Sequence, residues 1–285
     1  MITHIYFLKP KSLHLLSKQL KFIFLIILVL FFNINGIKGQ SLFQKYFDEC
    51  KVKGSTTIYD YQHKKWLYTD SLDAYTETLP ASTFKIPNSL IALETKAVLD
   101  ENEVLKWDGT EKKFFGGRMD AWNKNTDMKN AYKNSTIWFY VKMAERIGKE
   151  KYKKFLKEIH YGNQNITSTG TDFWNYGEFG ITPVNQITFL VDLYENRLPF
   201  SEKNMDTVKE MMISKKENGM VFHDKTGWTR KNGKDIGWWV GYTETAGNVY
   251  FFATRLTESV YPENSQFAKC RKSITESVLS DFINE

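Results

Sequence analysis

Metal ligands and thiols are scarce in this chain of 285 residues, which has five histidines and two cysteines. Beyond the N-terminal segment, His63, His160 and His223 show no spacing typical of a metal site, so we predict no metal and argue against a metallo-hydrolase. Two cysteines are also too few for a small disulfide-stapled scaffold. Cys50 and Cys270 either pair in an oxidising compartment or stay separate as buried thiols.

A long apolar run is missing as well. The longest, Phe22–Phe32, has eleven residues, whereas a membrane span needs roughly 20. Lysines precede this run and small or polar residues follow it, which is typical of a secretory signal. We predict a signal peptide over residues 1–39, cut after Gly39 rather than Gly36, and a periplasmic or secreted domain over 40–285 without stable membrane insertion. An uncleaved anchor is the alternative.

The positive charge belongs mostly to that N-terminal segment. The whole chain has a formal net charge of +6, but residues 1–40 hold five lysines and no arginine or acidic residue. Without them, 34 basic residues face 33 acidic ones, so nucleic-acid binding loses its main support. With 42% hydrophobic residues and no internal repeat, the remainder suits one compact domain. The sequence gives no indication of oligomeric state.

Residue periodicity predicts a fold of the α/β class, α+β in type. The predicted strands are Ser55–Tyr61, Lys65–Thr69, Met220–Thr226, Ile236–Thr243 and Val249–Leu256. The predicted helices are Ser41–Lys51, Ser82–Leu99, Ser135–Ile147, Lys149–His160, Pro183–Asn196, Glu202–Ile213 and Arg271–Phe282. We therefore expect one antiparallel sheet built from both chain termini and flanked by helices, with a mostly helical second lobe. A groove between the two would hold the site.

The strongest local motif is Ser82-Thr83-Phe84-Lys85, an S-x-x-K at the start of a predicted helix. Positions i and i+3 share a helix face, so the Lys85 amine can reach the Ser82 hydroxyl and activate it as a nucleophile. Taken alone, a capping serine followed by a solvated lysine is the plainer interpretation. Two further motifs, Ser135-Thr136-Ile137 and Lys225-Thr226-Gly227, follow in order and make the set far more specific.

With these motifs the sequence resembles the penicillin-recognising serine enzymes, and among them the class D β-lactamases, or oxacillinases. Tyr161-Gly162-Asn163 and Trp174 extend the resemblance, which covers residues 42–283. It implies the β-lactamase/transpeptidase-like fold, small-molecule β-lactam substrates, a role in antibiotic resistance and no cofactor other than carbon dioxide. Tyr161-Gly162-Asn163 could also be an ordinary turn, and Trp174 an ordinary core residue.

The resemblance also implies a role for each site residue. Ser82 is acylated by the lactam carbonyl, and Lys85 reacts with carbon dioxide to become N6-carboxylysine, the general base. Ser135 and Lys225 pass a proton to the lactam nitrogen, and Trp174 donates to the carbamate. The predicted substrate-binding residues are Thr226, Gly227, Trp228, Arg271 and Ile137, with Arg271 as a two-toothed donor to the substrate carboxylate and the Ser82 and Trp228 N–H groups as the oxyanion hole. Arg271 could instead merely cap a helix.

Asn175 departs from the family pattern, which commonly has leucine after the site tryptophan. We expect this amide to leave Lys85 better solvated and its carbamate less stable. This departure leaves the turnover rate and carbapenem activity open, more than the reaction class.

Two other functions fit much of the motif set. A penicillin-sensing receptor domain would be acylated without hydrolysis, and a D,D-peptidase would use the same nucleophile on peptides. A class A β-lactamase fits poorly, since Ile137 is apolar where that class has a polar asparagine.

Overall fold

The computed structural model of the protein describes residues 42–167 and 170–284. The predicted signal peptide and its cleavage sites lie outside the described residues. Helices of the described part are α1 (42–50), α2 (Lys85–Glu94), α3 (Met128–Lys133), α4 (Ile137–Ile147), α5 (Lys149–Glu158), α6 (Pro183–Tyr194), α7 (Glu202–Met212) and α8 (Phe267–Asn284). Strands are β1 (Lys53–Asp60), β2 (Lys65–Tyr68), β3 (Lys113–Phe114), β4 (Gly117–Arg118), β5 (Ile213–Glu217), β6 (Met220–Lys231), β7 (Lys234–Glu244) and β8 (Val249–Ser259).

One antiparallel sheet of six strands, in the order β2-β1-β8-β7-β6-β5, organises the molecule. The predicted α+β fold is confirmed, since β1 and β2 near one end of the chain meet β6, β7 and β8 near the other. Strand β5 was not predicted, and the helix expected to reach Ile213 ends at Met212. All five residues of β5 are exposed, so neither burial nor alternation marks this edge strand in the sequence.

Three predicted helices begin at a different residue in the structure. The helix expected over Ser82–Leu99 is a 3₁₀ turn, Ala81–Phe84, followed by α2, which ends at Glu94. Helix α4 begins at Ile137 and not at Ser135, whose φ of 54° is left-handed and cannot continue into a helix. The last helix begins at Phe267, four residues before Arg271.

The sheet separates two hydrophobic cores. Successive side chains on a strand point to opposite faces, and on β7 Trp238 packs into the core shared with the helical lobe, whereas its neighbour Trp239 packs under α1 and α8. Both indoles are at most 2% exposed. Burying both faces explains why β7 and β8 are almost continuously apolar in sequence.

A disulfide joins Cys50 to Cys270, whose Cα atoms are 6.0 Å apart. It fastens the end of α1 to the first turns of α8 on the outer face of the sheet, so the pairing alternative is the one that this structure contains. Cross-links that close such long loops typically contribute about 2–4 kcal/mol to stability. No helix among the described residues is long and apolar enough to cross a membrane.

Candidate active site

Ser82 sits on a strained turn. The preceding Ala81 has a left-handed φ of 53°, which is uncommon for a residue with a Cβ atom. Its N–H donates to the carbonyl of Trp174 at 3.0 Å, and the Thr83 hydroxyl donates to the Pro80 carbonyl at 2.7 Å. Backbone in such a region persists only where its surroundings hold it, as at many functional sites.

Lys85 lies one turn beyond Ser82, and its Nζ donates to the Ser82 Oγ at 3.0 Å. The lysine is 1% exposed and its Nζ lies 4.9 Å from the ring centre of Tyr140. Burial lowers the pKa of Lys85 to about 7, and the charge of Asp172 opposes that shift. A large share of the amine is therefore neutral near pH 7 and able to accept the Ser82 proton.

Strand β6 packs directly on the turn that carries Ser82, and Gly227 makes this possible. A Cβ atom at Gly227 would lie 2.9 Å from the Pro80 carbonyl oxygen and 3.1 Å from the Thr83 methyl group. Any larger residue would push the strand away from the nucleophile. The glycine of Lys225-Thr226-Gly227 is thus explained by close approach of backbone.

Lys225 and Ser135 meet on the opposite side of the site. The Lys225 Nζ donates to the Ser135 Oγ and, at 2.9 Å, to the carbonyl of Thr226. Burial lowers the pKa of Lys225 well below its usual value, and the charge of Lys85 lowers it further. The pair therefore forms a second buried amine–hydroxyl unit that can carry a proton.

A cavity of about 130 Å³ lies between these groups. Most predicted site residues line it: Ser82, Ser135, Ile137, Thr226, Gly227, Trp228 and Arg271. Its outer wall was not predicted residue by residue and consists of Phe114, Met119, Trp122 and Asn134. The β3–β4 hairpin supplies part of this wall, and its Phe115 ring meets Trp228 edge-on at 5.3 Å. Sequence offers no local signal for these contacts, since the hairpin strands have two residues each.

Arg271 reaches the cavity from α8, and it is 8% exposed. Its Nη1 donates to the carbonyl of Gly227 at 2.6 Å and its Nε to that of Ala268 at 3.2 Å. Part of the guanidinium thus holds β6 in place, a contact that the sequence did not predict. The remaining N–H groups of Arg271 are available for a substrate carboxylate. Gly237 leaves space for the Arg271 side chain, because a Cβ atom at this position would lie 2.8 Å from the Arg271 Cδ.

Comparisons with known proteins show the family to which a chain with this site belongs. The family model of the penicillin binding protein transpeptidase domain matches residues 50–280. The β-lactamase OXA-3 of Pseudomonas aeruginosa is 36% identical over 78% of this chain and 78% of its own length. A class D β-lactamase of Sebaldella termitidis has a TM-score of 0.79 and 44% identity over 84% of this chain and 95% of its own. The chain belongs to the class D serine β-lactamases.

A regulatory protein is also similar to this chain. Regulatory protein BlaR1 of Bacillus licheniformis is 31% identical over 82% of this chain but only 38% of its own length. The C-terminal domain of that penicillin receptor superposes with a TM-score of 0.76 and 30% identity, over 84% of this chain and 94% of the domain. Likeness of fold and motifs therefore does not separate the enzyme from the receptor.

Trp174, the tryptophan of the class D pattern, lies behind the Ser82 turn. It is fully buried and stacks on Phe84 with ring centres 5.2 Å apart. Its indole Nε1 is buried without a hydrogen-bond partner among the described residues. A buried donor left unpaired is costly, so this N–H can accommodate an acceptor that the described residues do not supply.

The expectation for Asn175 was wrong in its physical reason. Lys85 is 1% exposed, and Asn175 itself is 4% exposed, so the amide does not solvate the lysine. The Asn175 Nδ2 instead donates to the Asp172 Oδ1 at 2.8 Å. Asp172 was not singled out from sequence. Its pKa is raised to about 6 by burial, against the opposing effects of Asn175 and Lys85.

Tyr161-Gly162-Asn163 supports the site from behind and does not line the cavity. The Tyr161 ring lies 5.9 Å from that of Phe84, and Gly162 has a left-handed φ of 61°. A Cβ atom at Gly162 would lie 2.5 Å from the Gly180 carbonyl oxygen. The segment is therefore an ordinary turn, the alternative that the sequence left open, and close packing requires the glycine in it.

Proposed function

We propose that the protein hydrolyses the amide bond of β-lactams through an acyl-enzyme on Ser82. The observation that carries this proposal is the buried Lys85 amine, 3.0 Å from the Ser82 hydroxyl and with a pKa lowered to about 7. A neutral amine can react with carbon dioxide, and the carbamate so formed would take the hydroxyl proton while Ser82 attacks the lactam carbonyl carbon.

The other cavity residues would complete acylation. When the carbon–nitrogen bond of the lactam breaks, its nitrogen needs a proton, and Ser135, the hydrogen-bond partner of Lys225, lines the same cavity. Thr226 and the free N–H groups of Arg271 would hold the substrate carboxylate. The backbone N–H groups of Ser82 and Trp228 would stabilise the negative charge that develops on the carbonyl oxygen.

Hydrolysis of the ester would again require a base, and we propose the same carbamylated Lys85 for this step. A carbamate would supply a carboxylate-like acceptor for the proton of the attacking water. The unpaired Trp174 Nε1 fits this group, because a carbamate oxygen would satisfy a buried donor. Carbon dioxide or bicarbonate would then be the only accessory species.

The biological setting follows from the same proposal. A domain exported behind residues 1–39 would meet β-lactams before they reach their targets and would confer resistance. Expression in a susceptible bacterium should raise the inhibitory concentration of a penicillin, and Ser82→Ala should remove that increase. An unchanged inhibitory concentration for the native protein in the periplasm would contradict the role in resistance.

The alternative function is a penicillin-sensing receptor, which the likeness to the BlaR1 domain favours. Hydrolysis of a chromogenic cephalosporin, with and without bicarbonate, separates the two. Many turnovers per protein, increased by bicarbonate, would support the β-lactamase. One stoichiometric burst with a stable adduct would support the receptor. A D,D-peptidase would instead cleave a D-Ala-D-Ala peptide.

Two variants test the assigned residues. Ser82→Ala should abolish both the burst and turnover. Trp174→Phe should mainly slow deacylation and raise the bicarbonate requirement, because the carbamate loses a donor while the stacking on Phe84 is kept. A Trp174→Phe protein with native deacylation would remove the proposed role of the indole.

A further inference from the structure

The rim of the active-site cavity contains an arginine that this mechanism does not use. Arg230 lies on β6, two residues beyond Trp228, which lines the cavity. Side chains two apart on a strand project from the same face. The guanidinium carbon of Arg230 lies 3.9 Å from the ring centre of Phe115, and the Phe115 ring meets Trp228 edge-on at 5.3 Å. Arg230 therefore contacts the β3–β4 hairpin where the hairpin meets β6 at the cavity.

Asp235 on β7 holds two side chains of this rim. Its Oδ1 accepts from the Trp228 indole Nε1 at 2.7 Å and from the Arg230 Nε at 2.9 Å. The carboxylate is buried, and Asp235 is the direct cross-strand partner of Arg230. The Phe115 ring on one side and this hydrogen bond on the other fix the orientation of the guanidinium.

The outer edge of the Arg230 guanidinium is available to a ligand. Within residues 42–167 and 170–284, Nε is the only nitrogen of this side chain that donates a hydrogen bond, and the two Nη nitrogens donate none. The side chain is 33% exposed, so a ligand can reach these Nη donors from the solvent. A guanidinium held in one orientation suits a carboxylate, which accepts from its paired N–H groups.

The chemistry of a β-lactam determines which part of the substrate would meet Arg230. The lactam carbonyl carbon lies between the ring nitrogen and the ring carbon that bears the acylamino side chain. In the proposed function the nitrogen faces Ser135, and the carbonyl oxygen accepts from the Trp228 N–H. The acylamino side chain then extends away from Ser135, along β6. Arg230 lies in that direction, about 7 Å beyond Trp228 at the usual rise of a strand.

We propose that Arg230 is a specificity-determining residue that binds a carboxylate on the acyl side chain of the substrate. Its Nη donors favour penicillins with an anionic group on the carbon next to the side-chain amide and disfavour those with an ammonium there. Asp235 neutralises part of the charge of Arg230, so the preference comes mainly from directed hydrogen bonds. This inference rests on the proposed function, which sets the orientation of the lactam.

Three penicillins with the same nucleus and the same phenyl group are the probes. On the carbon next to the side-chain amide, carbenicillin has a carboxylate, ampicillin has an ammonium and benzylpenicillin has only hydrogen. The measured quantity is the second-order rate constant of Ser82 acylation, from competition with a fluorescent penicillin. Arg230→Gln should lower this constant about tenfold for carbenicillin, keep it within about twofold for benzylpenicillin and raise it for ampicillin.

Two further variants separate charge recognition from support of the wall. Arg230→Lys keeps the charge but loses the paired donors, so it should retain part of the carbenicillin rate. Arg118→Gln is the matched control, because Arg118 is an exposed arginine of the same hairpin that pairs with Glu111 and Asp120. It should leave the carbenicillin-to-benzylpenicillin ratio native.

Salt gives an independent measurement on the native protein. Because the guanidinium is partly exposed, added salt screens its attraction for a carboxylate. The carbenicillin-to-benzylpenicillin ratio should therefore fall with salt in the native protein and change less in Arg230→Gln. If Arg230→Gln does not fold, a native ratio that is independent of salt would contradict the inference.

Failure of this inference is distinguishable from failure of the proposed function. An equal carbenicillin-to-benzylpenicillin ratio in the native protein and in Arg230→Gln would overturn the role of Arg230 alone, including the case in which all three rates fall together. No acylation of the native protein by any of the three penicillins would contradict the proposed function, and the inference with it.

Discussion

Lys85 and Arg255 are both 1% exposed, yet their surroundings differ completely. Arg255 on β8 donates to the carbonyl of Thr76 at 2.7 Å and forms an ion pair with Asp73. Lys85 has the neutral Ser82 hydroxyl as its hydrogen-bond acceptor. Removing one partner of a buried ion pair leaves a buried charge unpaired and destabilises the fold, whereas a buried lysine without a paired charge has a lowered pKa and can act as a base.

The two residues show that this fold uses a buried cation in two ways, as a structural ion pair at Arg255 and as a group with a lowered pKa at Lys85. The ion pair of Arg255 with Asp73 holds β8 against the segment that precedes the Ser82 turn. Asp73 also accepts a hydrogen bond from Ser55, so the same carboxylate contacts β1. Near Lys85, the carboxylate of Asp172 opposes the effect of burial only in part, and the pKa remains lowered to about 7. Catalytic groups are commonly tuned to this range by burial.

The largest expected effect comes from Lys85→Met. The variant keeps the volume and removes the base, so turnover of a chromogenic cephalosporin should fall at least about 10³-fold. Bicarbonate should not restore it, since methionine forms no carbamate. Turnover within about tenfold of native would mean that another group takes the Ser82 proton.

The same variant should be more stable than the native protein at neutral pH. The unfolded chain keeps the lysine proton up to about pH 10.5 and the folded chain loses it near pH 7, so the unfolded state binds more protons in between. Native stability therefore rises with pH across this window, and Lys85→Met should gain at least about 1 kcal/mol at pH 7 and lose that rise. Denaturant unfolding at several pH values measures both.

Arg255→Met should have the opposite result. It leaves Asp73 without its partner, and breaking a buried ion pair typically costs about 3–5 kcal/mol. Acylation by the folded fraction should stay near native, because Arg255 does not line the cavity. Arg197→Met is the matched control, since its partners Asp192 and Glu195 pair with it at the surface and its loss should cost less than about 1 kcal/mol. Equal losses in the two variants would contradict the distinction between them.

Sequence reasoning located the Ser82–Lys85 pair because both residues lie within one helical turn. It also predicted the sheet, since β7 and β8 bury nearly continuous apolar runs. Asp172 was missed because its burial depends on how the 172–176 turn packs on the nucleophile turn, which no local pattern records. Edge strand β5 and the β3–β4 hairpin were missed because they bury too little to leave a period.

The smallest effect we predict is in the pH dependence of acylation. In protein depleted of carbon dioxide, the base is the neutral Lys85 amine, and a pKa of about 7 makes the neutral fraction rise about tenfold between pH 6 and pH 8. The burst rate with a chromogenic cephalosporin should follow this rise and level off above pH 8. In Asp172→Asn the ammonium loses its stabilising charge, so the rise should shift to lower pH. A burst rate that is flat over the same range would show that Lys85 does not titrate there, and would contradict the lowered pKa on which the comparison with Arg255 depends.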